Sequence, residues 1–303
     1  MTISNSLFYD RTAGRINTLA TQTQTLQTQI STGQKFAGPS DNPVAYQRLQ
    51  RLAVATANDT NTTANISLAQ TLLSQTDSAL GDVATQIQRA QELAIQANNG
   101  TLSAADRKVV ASQLRSIVDD LVTIANSKDA RGGPLFGAAT GDTAVTVDAA
   151  GAVSFTGTGT PASIPIGDAG HIQPTETAER VFGGITGAGG ATTLFAAISN
   201  LADAFDTNTN VNAAAGATID GLKSGLDQIN GLRGSVGARG ARLDLETNRL
   251  QDTGIAREAD RSGLEDTDLT AAIANLQKAS TILQATQASF TRLSQLSLFD
   301  YIR

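Results

Sequence analysis

His171 is the only histidine among 303 residues, and cysteine is absent. One imidazole without a thiol cannot build a Ser-His-Asp triad by any convincing pattern, a cysteine nucleophile, a disulfide or a typical tetrahedral zinc site. His171 itself lies in a Gly/Pro-rich stretch, where a solvent-exposed loop position is expected. The other residues with acid–base potential are the pairs Asp119-Asp120 and Glu265-Asp266. Adjacent helix residues do not face one another, and the first pair falls on the polar side of an apolar stripe, as a solvated face would. Gly183 to Gly190 is as glycine-rich as a phosphate-binding loop. It has neither the G-x-x-x-x-G-K-S/T spacing with its lysine nor a GxGxxG order, so it reads as a flexible connection. The expectation is therefore no catalytic residue, no cofactor and no metal, and a chain that is not an enzyme.

Charge and hydropathy narrow the partners. The formal net charge is −6 and the isoelectric point is near 4.8, which leaves no basic footprint for nucleic acid. No apolar run approaches the roughly 20 residues of a membrane span, so no membrane partner is expected. Met1 to Ser6 lacks a charged and then apolar leader, so no cleavable secretory signal is expected. Aromatic residues make up only 4% of the chain and tryptophan is absent. Thin packing of Ala, Leu, Ile and Val suits long helices lying side by side.

The spacing of apolar residues supplies those helices. The six prolines stand at 39, 43, 134, 161, 165 and 174, leaving two long proline-free arms around a proline-bearing middle. Because proline inside a helix costs about 3 kcal/mol, this order predicts helix, insert, helix. At the N-terminal end Ile16, Leu19, Thr23, Leu26 and Ile30 form a heptad seam. At the C-terminal end Leu269, Leu276, Leu283 and Phe290 recur every seven residues, with Ala272, Ala279, Thr286 and Leu293 as companions, and Leu298 and Phe299 follow. Neither end can bury its stripe alone, which points to assembly rather than catalysis.

Between the ends, Asn42-Pro43 reads as an N-cap followed by a first-turn proline. A seam from Ala45 through Leu52, Asp59, Ile66, Leu73, Leu80 and Ile87 to Ala94 would run about 80 Å as one helix. Gly100 is placed to end it, and Ser103 to Asp106 resembles a capping box ahead of the stripe Val110, Leu114, Ile117, Leu121 and Ile124. Val145–Val147 and Val153–Thr156, on either side of Asp148-Ala149-Ala150-Gly151, read as a hairpin, and Leu194 to Asp206 as a short helix. The second arm carries Ile219, Leu222, Leu226, Ile229, Leu232, Val236, Leu243 and Leu250 through seven glycines between 216 and 240. That pattern fits either a broken helix or close approach of a neighbouring helix. Thr267 reads as the cap of the last helix. The expected fold is mainly α: a long-helix bundle or coiled coil formed by the N- and C-terminal arms, with a small β-rich central insert. The expected division is 1–40 with 265–303, 41–137 with 191–264, and the insert 138–190.

Several segments carry a resemblance. Gln29-Ile30-Ser31-Thr32-Gly33-Gln34-Lys35, running on to Pro39-Ser40-Asp41-Asn42-Pro43, resembles the N-terminal signature of the flagellin superfamily, in the form found in its hook–filament junction branch. Glu92 to Ser103, Pro134-Leu135-Phe136-Gly137, Gly234 to Arg239 and the ending Ser297-Leu298-Phe299-Asp300-Tyr301-Ile302 are similar to segments of that branch as well. The resemblance implies a structural subunit, exported without a cleaved signal peptide and located outside the cell in the bacterial flagellum. It implies self-assembly into a ring or helical zone, with another hook-associated protein, flagellin and a flagellar export chaperone as partners. The assembly interface it implies comprises Ile16, Leu19, Leu26, Ile30, Leu269, Leu276, Leu283, Phe290, Leu293, Leu298 and Phe299. A filament subunit, flagellin itself, is the alternative.

Overall fold

The computed structural model describes residues 2–98, 102–140, 143–187 and 190–301; the side chains at 2–6, 8, 97, 169 and 293–301 are outside that description. Along the chain come α1 (Thr2–Thr32), α2 (Pro43–Asn98), α3 (Ala104–Ala125), β1 (Val145–Val147), β2 (Val153–Phe155), β3 (Ile164–Pro165), β4 (His171–Ile172), α4 (Ala178–Phe182), β5 (Ile185–Gly187), β6 (Gly190–Thr192), α5 (Leu194–Thr207), α6 (Val211–Glu265) and α7 (Leu269–Tyr301). The fold is mainly α, and each of the three sheets among the described residues is a two-stranded antiparallel pair. The chain divides into two compact units, Met1–Ala57 with Asp252–Arg303, and Asn58–Gln251.

The larger unit, Asn58–Gln251, is built on the heptad face of α2. Ile66, Ala69, Leu73, Thr76, Leu80, Val83, Ile87, Ala90 and Ala94 are all buried, as the seven-residue spacing predicts. Val110, Leu114, Ile117 and Leu121 of α3 bury the third stripe, and α3 packs along α5. Caps start these helices where expected. The Asn42 side chain accepts from Ala45 N at 3.0 Å ahead of α2, and Ser103 and Asp106 form the reciprocal capping box of α3. The expected terminator Gly100 lies outside the described residues.

The insert shares this core rather than standing apart from it. Ile164, Ile166 and Ile172 are buried, and the Asn65 and Thr76 side chains of α2 donate to the carbonyls of Pro165 and Pro174. Phe136, Phe182, Phe195 and Phe155 meet here. Phe136 stands edge-on to Phe182 with ring centres 5.8 Å apart, and Phe182 stacks on Phe195 at 5.1 Å. Beside them Glu176 is 3% exposed, and its carboxylate is held by the guanidinium of Arg239, which also donates to the carbonyl of Gln173.

The structure departs from expectation at one segment in this unit and decides between the two readings of another. The run from Gly183 is not only a connection: Ile185–Gly187 pairs antiparallel with Gly190–Thr192, Gly187 standing opposite Gly190, and this pair of strands crosses the expected insert boundary. Ala188 and Gly189 lie outside the described residues. The glycines of α6 do not break the helix, which is continuous from Val211 to Glu265. Only some of them serve close approach. A Cβ on Gly225 would meet Leu194 Cδ2 at 2.5 Å, whereas Gly231 faces open space. Gly225→Ala is therefore expected to destabilise by about 1–3 kcal/mol through overpacking, and Gly231→Ala to stabilise by about 0.5–1 kcal/mol. Urea unfolding of the two variants checks this pair of opposite signs.

Candidate assembly surface

In the unit Met1–Ala57 with Asp252–Arg303, α1 lies along α7. The Tyr9 ring meets Phe290 edge-on with centres 5.5 Å apart, while at the other end Gln34 bridges Asp266. The two helices therefore run antiparallel. As many residues separate Tyr9 from Ile30 as separate Leu269 from Phe290, which puts Ile16 level with Leu283 and Thr23 level with Leu276.

Burial follows the heptad on both helices. On α1 the half-buried positions are Tyr9, Thr12, Ile16, Leu19, Thr23, Leu26 and Ile30, spaced three and four apart, with Thr28 and Gln29 joining them near the end. On α7 Ala272 and Ala279 are buried, and Leu276, Leu283, Thr286 and Phe290 are half-buried. The pair brings together Ile16, Leu19, Leu26 and Ile30 with Leu276, Leu283 and Phe290. Leu269 lies at the edge of the seam and is 47% exposed. The side chains of Leu293, Leu298 and Phe299 lie outside the described residues. Tyr9 and Thr12 extend the seam beyond its expected start at Ile16. Their three-and-four spacing was the available signal, masked by the hydroxyl groups of both side chains.

One helix pair covers its own stripe only in part. Besides Leu269, Ile273 and Ile282 stay exposed on the two flanks of α7. Charge is nearly absent: α1 has none from Ile16 to Thr32, and α7 has only Lys278 and Arg292 between Leu269 and Phe299. The polar face of α1 is threonine and glutamine, and the hydroxyls of Thr18, Thr21, Thr25 and Thr28 donate to carbonyls four residues back within the helix. That internal bonding satisfies the threonine hydroxyl donors and leaves an uncharged surface whose remaining polar groups are mainly the side-chain amides.

At the base of the pair, α6 ends in an ion-pair cluster. Arg261 contacts Glu258 at 2.6 Å and Glu265 at 2.7 Å. These carboxylates, Glu258 first, hold the guanidinium above its ordinary range, and the hydrogen bond from Arg261 holds Glu258 below the usual carboxylate value. The cap of α7 is Asp268, whose carboxylate accepts from Ala271 N at 3.0 Å, rather than the expected Thr267. Asp268 immediately precedes Leu269, whereas Thr267 stands one residue too early and its hydroxyl makes no hydrogen bond to the helix.

The residues with catalytic potential do not converge. His171 is exposed on β4, and Asp119 and Asp120 are exposed on α3, where Asp120 accepts from Gln86 at 3.2 Å. Among the described residues no group of three or more His, Cys, Asp or Glu is placed to hold a metal ion, and no helix is long and apolar enough to cross a membrane.

This arrangement, long helices contributed by both chain ends around a central insert, is matched by two family models. The bacterial flagellin N-terminal helical region matches residues 3–140, and the bacterial flagellin C-terminal helical region matches residues 219–302. The chain belongs to the flagellin superfamily. Within it, the chain is 28% identical over 319 residues to flagellar hook-associated protein 3 of Salmonella typhimurium, covering 100% of both. It is 24% identical over 269 residues to flagellin of Listeria monocytogenes, covering 89% of this chain and 86% of that one. Its fold is similar to the crystal structure of the flagellar junction protein FlgL from Legionella pneumophila, with a TM-score of 0.59, 15% identity, and coverage of 72% of this chain and 99% of that one.

Proposed function

We propose that this chain is a structural subunit of the bacterial flagellum that forms the junction zone between hook-associated proteins and the flagellin filament. The observation that carries this is the antiparallel pairing of the two chain ends into a seam that remains half open, in a chain similar from end to end to a hook-associated protein. The filament-subunit reading has less support, because the likeness to flagellins spans less of the chain.

The interface consists of Ile16, Leu19, Leu26, Ile30, Leu269, Leu276, Leu283, Phe290, Leu293, Leu298 and Phe299, meeting the same segments of neighbouring copies. Residues 1–40 with 265–303 form the inner part of the assembly, 41–137 with 191–264 the middle, and 138–190 the outward part. The partners are further copies of this chain, another hook-associated protein and flagellin. An export chaperone covers the C-terminal helix before the subunit leaves the cell without a cleaved signal. No catalytic step belongs to this role.

Deleting the gene tests the reading. Cells without the chain are expected to build hooks, release flagellin into the medium and carry no filaments, with filaments restored by a plasmid copy. Normal filaments on the deletion strain would overturn it.

A further inference from the structure

The helix pair α1/α7 has a seam but little to fix its register. Its contact positions repeat every seven residues, so sliding one helix by a heptad again sets apolar and small residues against each other. Coiled coils commonly settle register with flanking charges or a buried polar residue, and α1 has no charge between Ile16 and Thr32. The link from Gly33 to Asn42 does not settle it either. Ten residues can span about 33 Å, while a one-heptad slide moves a helix only about 10 Å.

What does fix the pair lies at its base. The Lys35 amide donates to the Glu265 carbonyl at 2.6 Å, and the Thr267 amide to the Gly33 carbonyl at 2.8 Å. These bonds frame the Gln34–Asp266 bridge. Side chains add to it: the Gln34 amide donates to the Glu265 carboxylate, and Lys35 Nζ donates to the Gly263 carbonyl at 3.0 Å. Gln29, one turn inside α1, donates to the Lys35 carbonyl at 2.9 Å and ties the helix to the same segment. Gly33 adopts φ +74°, the left-handed turn that lets the chain leave α1 and run alongside 265–267.

We propose that this hydrogen-bonded clasp between Gly33–Lys35 and Glu265–Thr267 sets the register of α1 against α7, so that each copy presents one fixed seam and one fixed pair of apolar flanks, Ile273 and Ile282. A slipped pair would carry the same composition but place those flanks a heptad away, unfit for neighbours built on the native register. The clasp acts within the isolated chain, so its test is separate from that of the flagellar role.

The chain has no cysteine, which permits specific spin labelling at Gln27→Cys and Gln287→Cys, two exposed positions on α1 and α7. Double electron–electron resonance on the full chain is expected to give a single distance. With Lys35→Pro and Thr267→Pro, which remove both main-chain donors, a second population is expected, displaced by about 10 Å. A single unchanged distance in this variant, with helix content retained by circular dichroism, would overturn the proposal. If the prolines lower helix content, Gln34→Ala/Lys35→Pro/Glu265→Ala, which removes the Lys35 amide and the side-chain bonds with its one proline outside both helices, decides: a minor shifted population supports the clasp, and one unchanged distance overturns it.

Discussion

Replacing Leu283 by aspartate is expected to abolish incorporation into flagella while leaving the unit Asn58–Gln251 folded. Leu283 sits at the middle of the α7 stripe, half-buried and level with Ile16. Burying a leucine fully is worth about 1.5–3 kcal/mol, and placing a carboxylate at an apolar seam adds a desolvation cost of similar size. Every 1.4 kcal/mol is about tenfold in affinity, so a loss near 3 kcal/mol weakens each subunit contact about a hundredfold. Leu283→Met keeps volume and apolarity and is expected to incorporate normally. Motility and the amount of chain retained on sheared flagella, compared between the two variants, measure the effect. Equal incorporation of both would remove the seam from the assembly surface.

The second large effect concerns stability. Arg239→Met is expected to destabilise the unit Asn58–Gln251 by about 3–5 kcal/mol, because it leaves the Glu176 carboxylate buried without its close cation. Arg180, 3.4 Å from the other oxygen and largely exposed, compensates only weakly. Glu176→Gln/Arg239→Met removes both charges and is expected to recover most of the loss, since a neutral side chain in place of an orphaned ion costs far less to bury. Denaturant unfolding of the two variants separates these outcomes. An equal loss in single and double variants would show that packing of the arginine stem, and not the charge, holds the insert to α6.

Much of this architecture is legible in the sequence wherever one face of one helix decides the matter. The seam from Ile66 to Ala94 reads correctly because every buried position repeats on the helical period, and Asn42, Ser103 and Asp148 mark boundaries through local hydrogen bonds. What the sequence hides depends on a partner distant along the chain. Gly225 and Gly231 are the same residue in the same helix, and only the position of Leu194 makes one indispensable and the other free to change. The strands Ile185–Gly187 and Gly190–Thr192 hold only three residues each and end in glycine where they meet, too short a run to show a two-residue alternation. The seam itself is legible from Ile16 onward, but its extension to Tyr9 is not, because Thr12 interrupts the apolar pattern. The clasp was invisible for a simpler reason: its framing bonds are made by main-chain groups of Lys35 and Thr267, which any side chain could carry.

The most direct measurement is immunogold labelling of intact flagella with antibody against this chain. A structural subunit of the junction must be confined to one short band where the hook meets the filament. Label distributed along the whole shaft would identify a filament subunit instead, and label absent from flagella altogether would contradict the account.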